Sequence, residues 1–222
     1  MNPRIGVITS LRAEGPCFRH VHDFGLRVCQ LSGWDPDLWS EGLADRVRKE
    51  SASSGVRMSA FWAGWPGPKV WDFVSGPATL GIVPREHREA RVRSLLRAAE
   101  FAHRLGVPAI ITHLGFIPEN PSDPAFAEVV SAVRRIASRL RTLGMEFWFE
   151  TGQETPVTML RLIRAVGTGN LGVNLDPANL ILYGKGNPID SLDVFGSLVR
   201  NVHAKDGLYP TDPMKLGQKA ME

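Results

Sequence analysis

The sequence is short of cysteine, of long apolar runs and of net charge, and each shortage removes a class of protein. Its 222 residues include two cysteines, Cys17 and Cys29, in no CxxC pair. A disulfide framework is therefore not expected, and a reducing, cytoplasmic setting is. No apolar run approaches the roughly 18 residues that a membrane span requires. The opening MNPRIGVITSLRAEG lacks a basic stretch followed by a sustained apolar one, so no signal peptide is expected. Lys and Arg number 26 against 23 Asp and Glu, which gives nucleic acid or a membrane surface little support as a partner. The one basic concentration, at Arg85, Arg88, Arg91, Arg93, Arg97 and Arg104, is interleaved with Glu86, Glu89 and Glu100. It reads as a solvated helix face with local ion pairs.

What the chain does have is alternation. Apolar runs at Arg4 to Thr9, Leu26 to Leu31, Val56 to Trp62 and Val107 to His113 read as the first four strands. Three more end at Glu150, Asp176 and His203. Helical spacing falls between them. Asp35 and Pro36 suggest an N-cap and first turn for a helix that stops at Gly55. Strong helices are predicted over Arg85 to Leu105 and Asp123 to Leu143, with shorter ones over Pro156 to Val166 and Ile189 to Leu198. Residues 63–84, crowded with Gly, Pro and Trp, read as a long loop. Strand–helix alternation implies a parallel sheet, in one domain spanning 1–222. A (β/α)8 barrel takes roughly 31 residues per unit, so seven strands match this length. The expectation is a TIM barrel truncated after its seventh strand, with Gly207 to Glu222 as a polar loop.

The strands ending at Glu150, Asp176 and His203 each finish on a group able to ligate a metal or move a proton. Parallel barrel strands bring their C-terminal ends to one mouth. Two carboxylates and an imidazole there suit a divalent ion such as Mn, Mg, Co or Zn. Taken singly, such acids also cap helices or pair with arginine. His113, ending the fourth strand, faces the same mouth and is a candidate for a substrate oxygen. Trp62, Trp65 and Trp71 are candidates to stack on a substrate's carbon face, or else pack the loop onto the rim. Lys205 follows His203 and suits an anionic group. Asp206 is a candidate to orient His203 or to cap a helix. Glu154 reads as a loop or helix N-terminal carboxylate, favoured there by the dipole. No recognisable phosphate-binding loop is present.

The segments FETGQETP (149–156), GVNLDPANLILYGKGNP (172–188) and VRNVHAKD (199–206), with RAAEFAHRLGVPAIITHLG (97–115), resemble the xylose isomerase-like TIM-barrel superfamily. The nearest branch is that of sugar phosphate isomerases and epimerases. The resemblance implies metal ligation by Glu150, Asp176 and His203. A second Glu would come from an eighth strand that this sequence does not show. It further implies proton transfer next to a carbonyl through a metal-stabilised enediolate, with Glu150 as candidate base and a small sugar or sugar phosphate as substrate. Many relatives carry a His three residues after the metal-binding Asp. Here Asn179 stands there, able to bond a substrate hydroxyl but not to act as a base near neutral pH. An inosose-type dehydratase and an endonuclease IV-like hydrolase share the superfamily, and a non-catalytic carbohydrate-binding barrel is the rival from another class. A homo-oligomer is open.

Overall fold

The computed structural model describes residues 5–16 and 18–212. Seven strands form one parallel sheet in sequence order: β1 (Val7–Ser10), β2 (Val28–Gly33), β3 (Arg57–Ala63), β4 (Ala109–Thr112), β5 (Glu146–Glu150), β6 (Leu171–Leu175) and β7 (Val199–Val202). The connecting helices are α1 (Phe18–Asp23), α2 (Glu41–Ser54), α3 (Gly76–Thr79), α4 (Arg85–Leu105), α5 (Pro124–Thr142), α6 (Pro156–Val166), α7 (Pro177–Leu182) and α8 (Asp190–Phe195). Among the described residues β1 and β7 are the two edges, so the barrel is partial. Residues 213–222, most of the expected polar tail, lie outside the described residues, as do Arg4 and Cys17.

The sheet is strongly curled. In a flat sheet β2 and β7, five positions apart, would lie about 24 Å from each other at ~4.8 Å per strand. Gln30 of β2 and His203, the residue next after β7, instead meet at 2.9 Å.

Period-2 alternation divides the strands into two faces. Cys29, Leu31, Phe61, Ile110, Phe147, Phe149, Val173 and Leu175 point outward and join the helices in the main core. Ala60, Trp62, Ala109, Ile111 and Trp148 point inward, in a second cluster with Trp65 and Leu80. The helices supply matching stripes: in α5, Phe126, Val129, Val130, Val133, Ile136, Ala137 and Leu140 are buried at the i, i+3, i+4, i+7 spacing of one face.

Four local expectations are corrected. Pro36 opens a 3-10 turn (Pro36–Leu38), not the long helix. That helix starts at Glu41, because Ser40 Oγ accepts from Leu43 N at 3.3 Å. β1 and β2 sit later than the sequence suggested, at Val7–Ser10 and Val28–Gly33. The 63–84 loop contains the one-turn α3, its start organised by Asp72 Oδ1, which accepts from the N–H groups of Val74, Ser75 and Gly76. The arginine-rich face of α4 is also not wholly solvated. Arg91 is fully buried and donates to the carbonyls of Pro66, Gly81 and Pro68. Arg88 is buried and reaches the carbonyls of Ile82 and Val83 and the Glu128 carboxylate. These two arginines fasten the long loop to α4. At its far end the loop crosses the exit of β4, with Gly81 at φ +66°. A Cβ there would lie 2.0 Å from the Leu114 backbone, so only glycine fits.

Candidate metal centre at the strand ends

Glu150 ends β5, Asp176 follows β6 directly and His203 follows β7. All three are in the inward phase of their strands, and one ligand atom from each lies within 4.8 Å of the others. His203 Nδ1 is 3.1 Å from Glu150 Oε1 and 3.9 Å from Asp176 Oδ2. Asp176 divides its labour. Oδ1 caps α7, accepting from Asn179 N at 3.0 Å, while Oδ2 faces His203 and Lys205. The helix-cap role and the ligand role thus coexist on one carboxylate. Thr151 Oγ1 ties the two strand ends together, 2.9 Å from both the N and the O of Asp176.

The electrostatics suit a cation. Burial works against charge on Glu150, yet His113, His203 and the Trp62 indole N–H outweigh it and hold its pKa down at about 2. Burial also disfavours the His203 imidazolium, but the Asp176 and Glu150 carboxylates raise its pKa to about 9. A proton on His203 therefore sits between two carboxylates. A divalent cation has the charge to take that proton's place, so the donor set fits one. His113, 5% exposed, is pushed down by burial against the pull of Glu150 and Asp176, and its Nε2 lies 3.6 Å from Glu150 Oε1.

Around this centre lies a cavity of about 630 Å³, whose lining includes Trp34, Trp62, Trp71, His113, Asn179 and Lys205. Asn179 Nδ2 donates to Thr151 O at 3.2 Å, and its Oδ1 accepts from Lys205 Nζ at 2.8 Å. Trp62 packs on Trp34 with centroids 4.6 Å apart, and its indole N–H donates to Glu150 Oε2. Trp65 is corrected. It has no exposed surface and does not line the cavity, because the Arg91 guanidinium covers it, 5.6 Å from its ring. It supports Trp34 and Trp62 from behind. Asp206 neither orients His203 nor caps a helix. Its Oδ1 accepts from Gly207 N at an exposed turn. Glu154 stands on the loop just before the Thr155 cap of α6, where the sequence put it, but it is 2% exposed, and burial pushes its pKa up to about 8.

Sequence reasoning missed several residues. Gln30 on β2 accepts from His203 Nε2 at 2.9 Å. The Asn174 amide lies 3.3 Å from the same ring, and Asn201 Nδ2 donates to Asn174 Oδ1 at 2.6 Å. Trp34, Gln153 and Tyr183 line the cavity. The available signal was phase: Gln30 and Asn174 are polar residues in mostly apolar strands, whereas Asn201 stands beside Arg200 and is not marked in this way.

The description "xylose isomerase-like TIM barrel" matches residues 18–220. The chain belongs to this family. A xylose isomerase domain protein from Planctomyces limnophilus is 33% identical, superposes with a TM-score of 0.88, and aligns over 96% of this chain and 77% of its own. Two more distant structures share the fold. The 3-keto-D-glucoside 4-epimerase of E. coli has a TM-score of 0.65 at 16% identity, covering 91% of this chain and 80% of that one. A xylose isomerase-like TIM-barrel protein from Mycobacterium smegmatis, in complex with magnesium, has a TM-score of 0.63 at 19% identity, covering 85% and 64%. No curated protein sequence matches. Among the described residues no helix is long and apolar enough to cross a membrane.

Proposed function

We propose that this member of the xylose isomerase-like family is a divalent-metal-dependent isomerase or epimerase of a small sugar. One observation carries the reading: an imidazole nitrogen and two carboxylate oxygens converge within 4.8 Å at the floor of a tryptophan-walled cavity. The sugar epimerase among its structural relatives and the magnesium-bound one are consistent with it.

Glu150, Asp176 and His203 would hold the cation, with Mn, Mg, Co and Zn all compatible with the oxygen and nitrogen donors. Bound there, it would polarise a substrate carbonyl and stabilise the charge that develops on deprotonation of the adjacent carbon. The protein's own groups do the rest. Gln30 fixes the ring of His203 through Nε2, leaving Nδ1 toward the two carboxylates. Trp34, Trp62 and Trp71 offer an apolar wall for the carbon face and exclude water. Asn179 and His113 are placed to bond substrate oxygens, and Lys205 to balance an oxyanion.

Glu150 is the candidate proton acceptor. With a pKa of about 2 it is a weak base. Accepting a proton from carbon requires a partner to release it. Two donors to Glu150 lie outside the ligand set, the Trp62 N–H on Oε2 and the Asn179 amide on Oε1 at 3.5 Å. Returning the proton to the opposite face epimerises; returning it to the neighbouring carbon isomerises. The scarcity of cationic lining residues favours a sugar over a phosphodiester backbone.

The test is solvent exchange. The chain with Mn²⁺ or Mg²⁺ and a panel of ketoses in D₂O should incorporate deuterium beside the carbonyl, read by NMR. Cation binding without exchange in any ketose would reject the reading, and loss of a hydroxyl from the product would assign a dehydratase.

A further inference from the structure

Each of the three candidate ligand residues turns one atom toward the others and has its second atom held by the protein. His203 offers Nδ1, with Nε2 bonded to Gln30 Oε1 at 2.9 Å. Asp176 offers Oδ2, with Oδ1 accepting from Asn179 N at 3.0 Å. Glu150 offers Oε1, 3.1 Å from His203 Nδ1, while Oε2 accepts from the Trp62 indole N–H. The Asn179 amide also approaches Oε1, but at 3.5 Å, the outer limit of a hydrogen bond. The three residues therefore present one atom apiece, and both carboxylates are set to bind a cation through a single oxygen.

The two carboxylates are locked differently. Asp176 is held by backbone: Oδ1 caps α7, and Thr151 Oγ1 pins both the N and the O of Asp176 at 2.9 Å. On Glu150 the lock is one side chain. Trp62 sits inside the sheet, with Ser32 of β2 and Ile111 of β4 as its register partners. It is 6% exposed, and its ring is packed by Trp34, His113 and Trp65 with centroids 4.6, 5.7 and 6.1 Å away. The indole cannot follow if Glu150 rotates. Bringing Oε2 onto a cation would break its bond and leave a buried N–H without an acceptor, which is costly.

That lock bears on which cation fits. Ca²⁺ gathers about six to eight oxygens and readily takes both from one carboxylate, whereas Mg²⁺ is smaller, octahedral and content with single carboxylate oxygens and water. Both are hard ions, so the imidazole favours neither strongly. We propose that the Trp62 indole N–H sets the cation selectivity of the centre: by holding Glu150 Oε2 it keeps that carboxylate monodentate, so that the site prefers Mg²⁺-sized octahedral ions and discriminates against Ca²⁺. The inference rests on the metal centre proposed above. It also gives the two oxygens of Glu150 separate work, Oε1 facing the cation and Oε2 kept off it to accept a proton from carbon. Trp62 acts through Glu150 and is a positioning residue.

Calorimetric titration of the parent protein, Trp62→Phe and Trp65→Phe with Mg²⁺ and Ca²⁺ tests it. The parent should bind Mg²⁺ more tightly than Ca²⁺. Trp62→Phe keeps an apolar ring but releases Oε2, and the preference should fall by about 10–100-fold, the range for losing a partner that orients a ligand. Trp65→Phe disturbs the same aromatic cluster and spares the N–H, so it should leave the preference unchanged. Infrared difference spectra add a readout that a merely structural role would not move. The carboxylate bands of the parent should be those of monodentate ligands with either ion, and a bidentate band should appear with Ca²⁺ in Trp62→Phe. A parent that prefers Ca²⁺, bidentate bands in the parent, or an unaltered preference in Trp62→Phe would overturn the role of Trp62. If Trp62→Phe does not fold, the affinities and spectra of the parent decide alone. Failure of both ions and of Mn²⁺ to bind the parent would remove the metal-centre reading itself, whereas binding without the stated preference removes only this inference.

Discussion

His203 Nε2 and Gln30 Oε1 meet at 2.9 Å, although 173 positions separate them in the chain and five strand steps in the sheet. The contact holds a hydrogen on Nε2, whether or not Nδ1 also carries one. With Nε2–H directed at Gln30, Nδ1 is left for the carboxylates of Glu150 and Asp176, or for a cation between them.

Replacing Gln30 should therefore weaken the metal centre without touching a ligand. Gln30→Leu is expected to cost about 10–100-fold in cation affinity, the range for partners that orient a ligating histidine. Gln30→Glu should restore it. Titration calorimetry with Mn²⁺ reads both, and undiminished affinity in the leucine variant would show that the ring needs no such anchor.

Cation binding should strengthen with pH. His203 titrates at about 9 in the metal-free fold against an ordinary 6.5, because Asp176 and Glu150 hold its proton. The cation must displace that proton. Apparent affinity should rise about tenfold per pH unit below pH 9 and level off above it. Titrations at pH 6.5, 7.5 and 8.5, in buffers of different ionisation enthalpy, should show close to one proton released. A flat profile would exclude His203 as a ligand.

Glu154 should make the fold less stable as the pH rises. Its folded pKa is raised from 4.5 to about 8 by burial. The resulting stabilisation is complete below pH 4.5 and is lost as the pH rises through 8. Glu154→Gln removes the ionisation. In metal-free melts at pH 5, 7 and 9, the variant should gain on the parent protein as pH increases. Parallel curves would mean the carboxyl is not buried as described.

The tryptophans should separate into two kinds. Trp65 has no exposed surface, so Trp65→Ala is expected to destabilise by about 3–5 kcal/mol, as for other large-to-small changes in a core. Trp71 is partly exposed on the cavity wall. Trp71→Ala should weaken ketose binding and shift the melting temperature far less. Denaturant unfolding and sugar titration on the two variants distinguish them. Similar losses of stability would contradict the division.

The elements were legible where one physical signal dominated. The 21 residues of α4 run from Arg85 to Leu105 as predicted, stopped by Gly106 at φ +80°, and α6 begins and ends at the expected residues. Seven strands were readable from apolar runs. The first two slipped because their ends lack a charged marker, whereas Glu150 fixed the end of β5. The one-turn α3 was hidden because Asp72 and loop packing organise it, not periodicity. Among the site residues, Glu150, Asp176 and His203 announced themselves by ending apolar runs, and the fold brings their ligand atoms together. Gln30, Gln153 and Tyr183 gave no such mark.

The sequence alone determined the β/α alternation, the inward or outward phase of each strand, and so which groups stand at the strand ends. Those follow from period and local chemistry, which neighbouring residues carry between them. Tertiary structure decided the remainder. It placed Gln30 against His203, turned Trp62 into the cavity while burying Trp65 under Arg91, and buried the Glu154 carboxyl beside the start of α6. Each depends on how tightly the sheet curls and on where the 63–84 loop settles. Those are set by packing among segments far apart in the chain, and no local pattern encodes them.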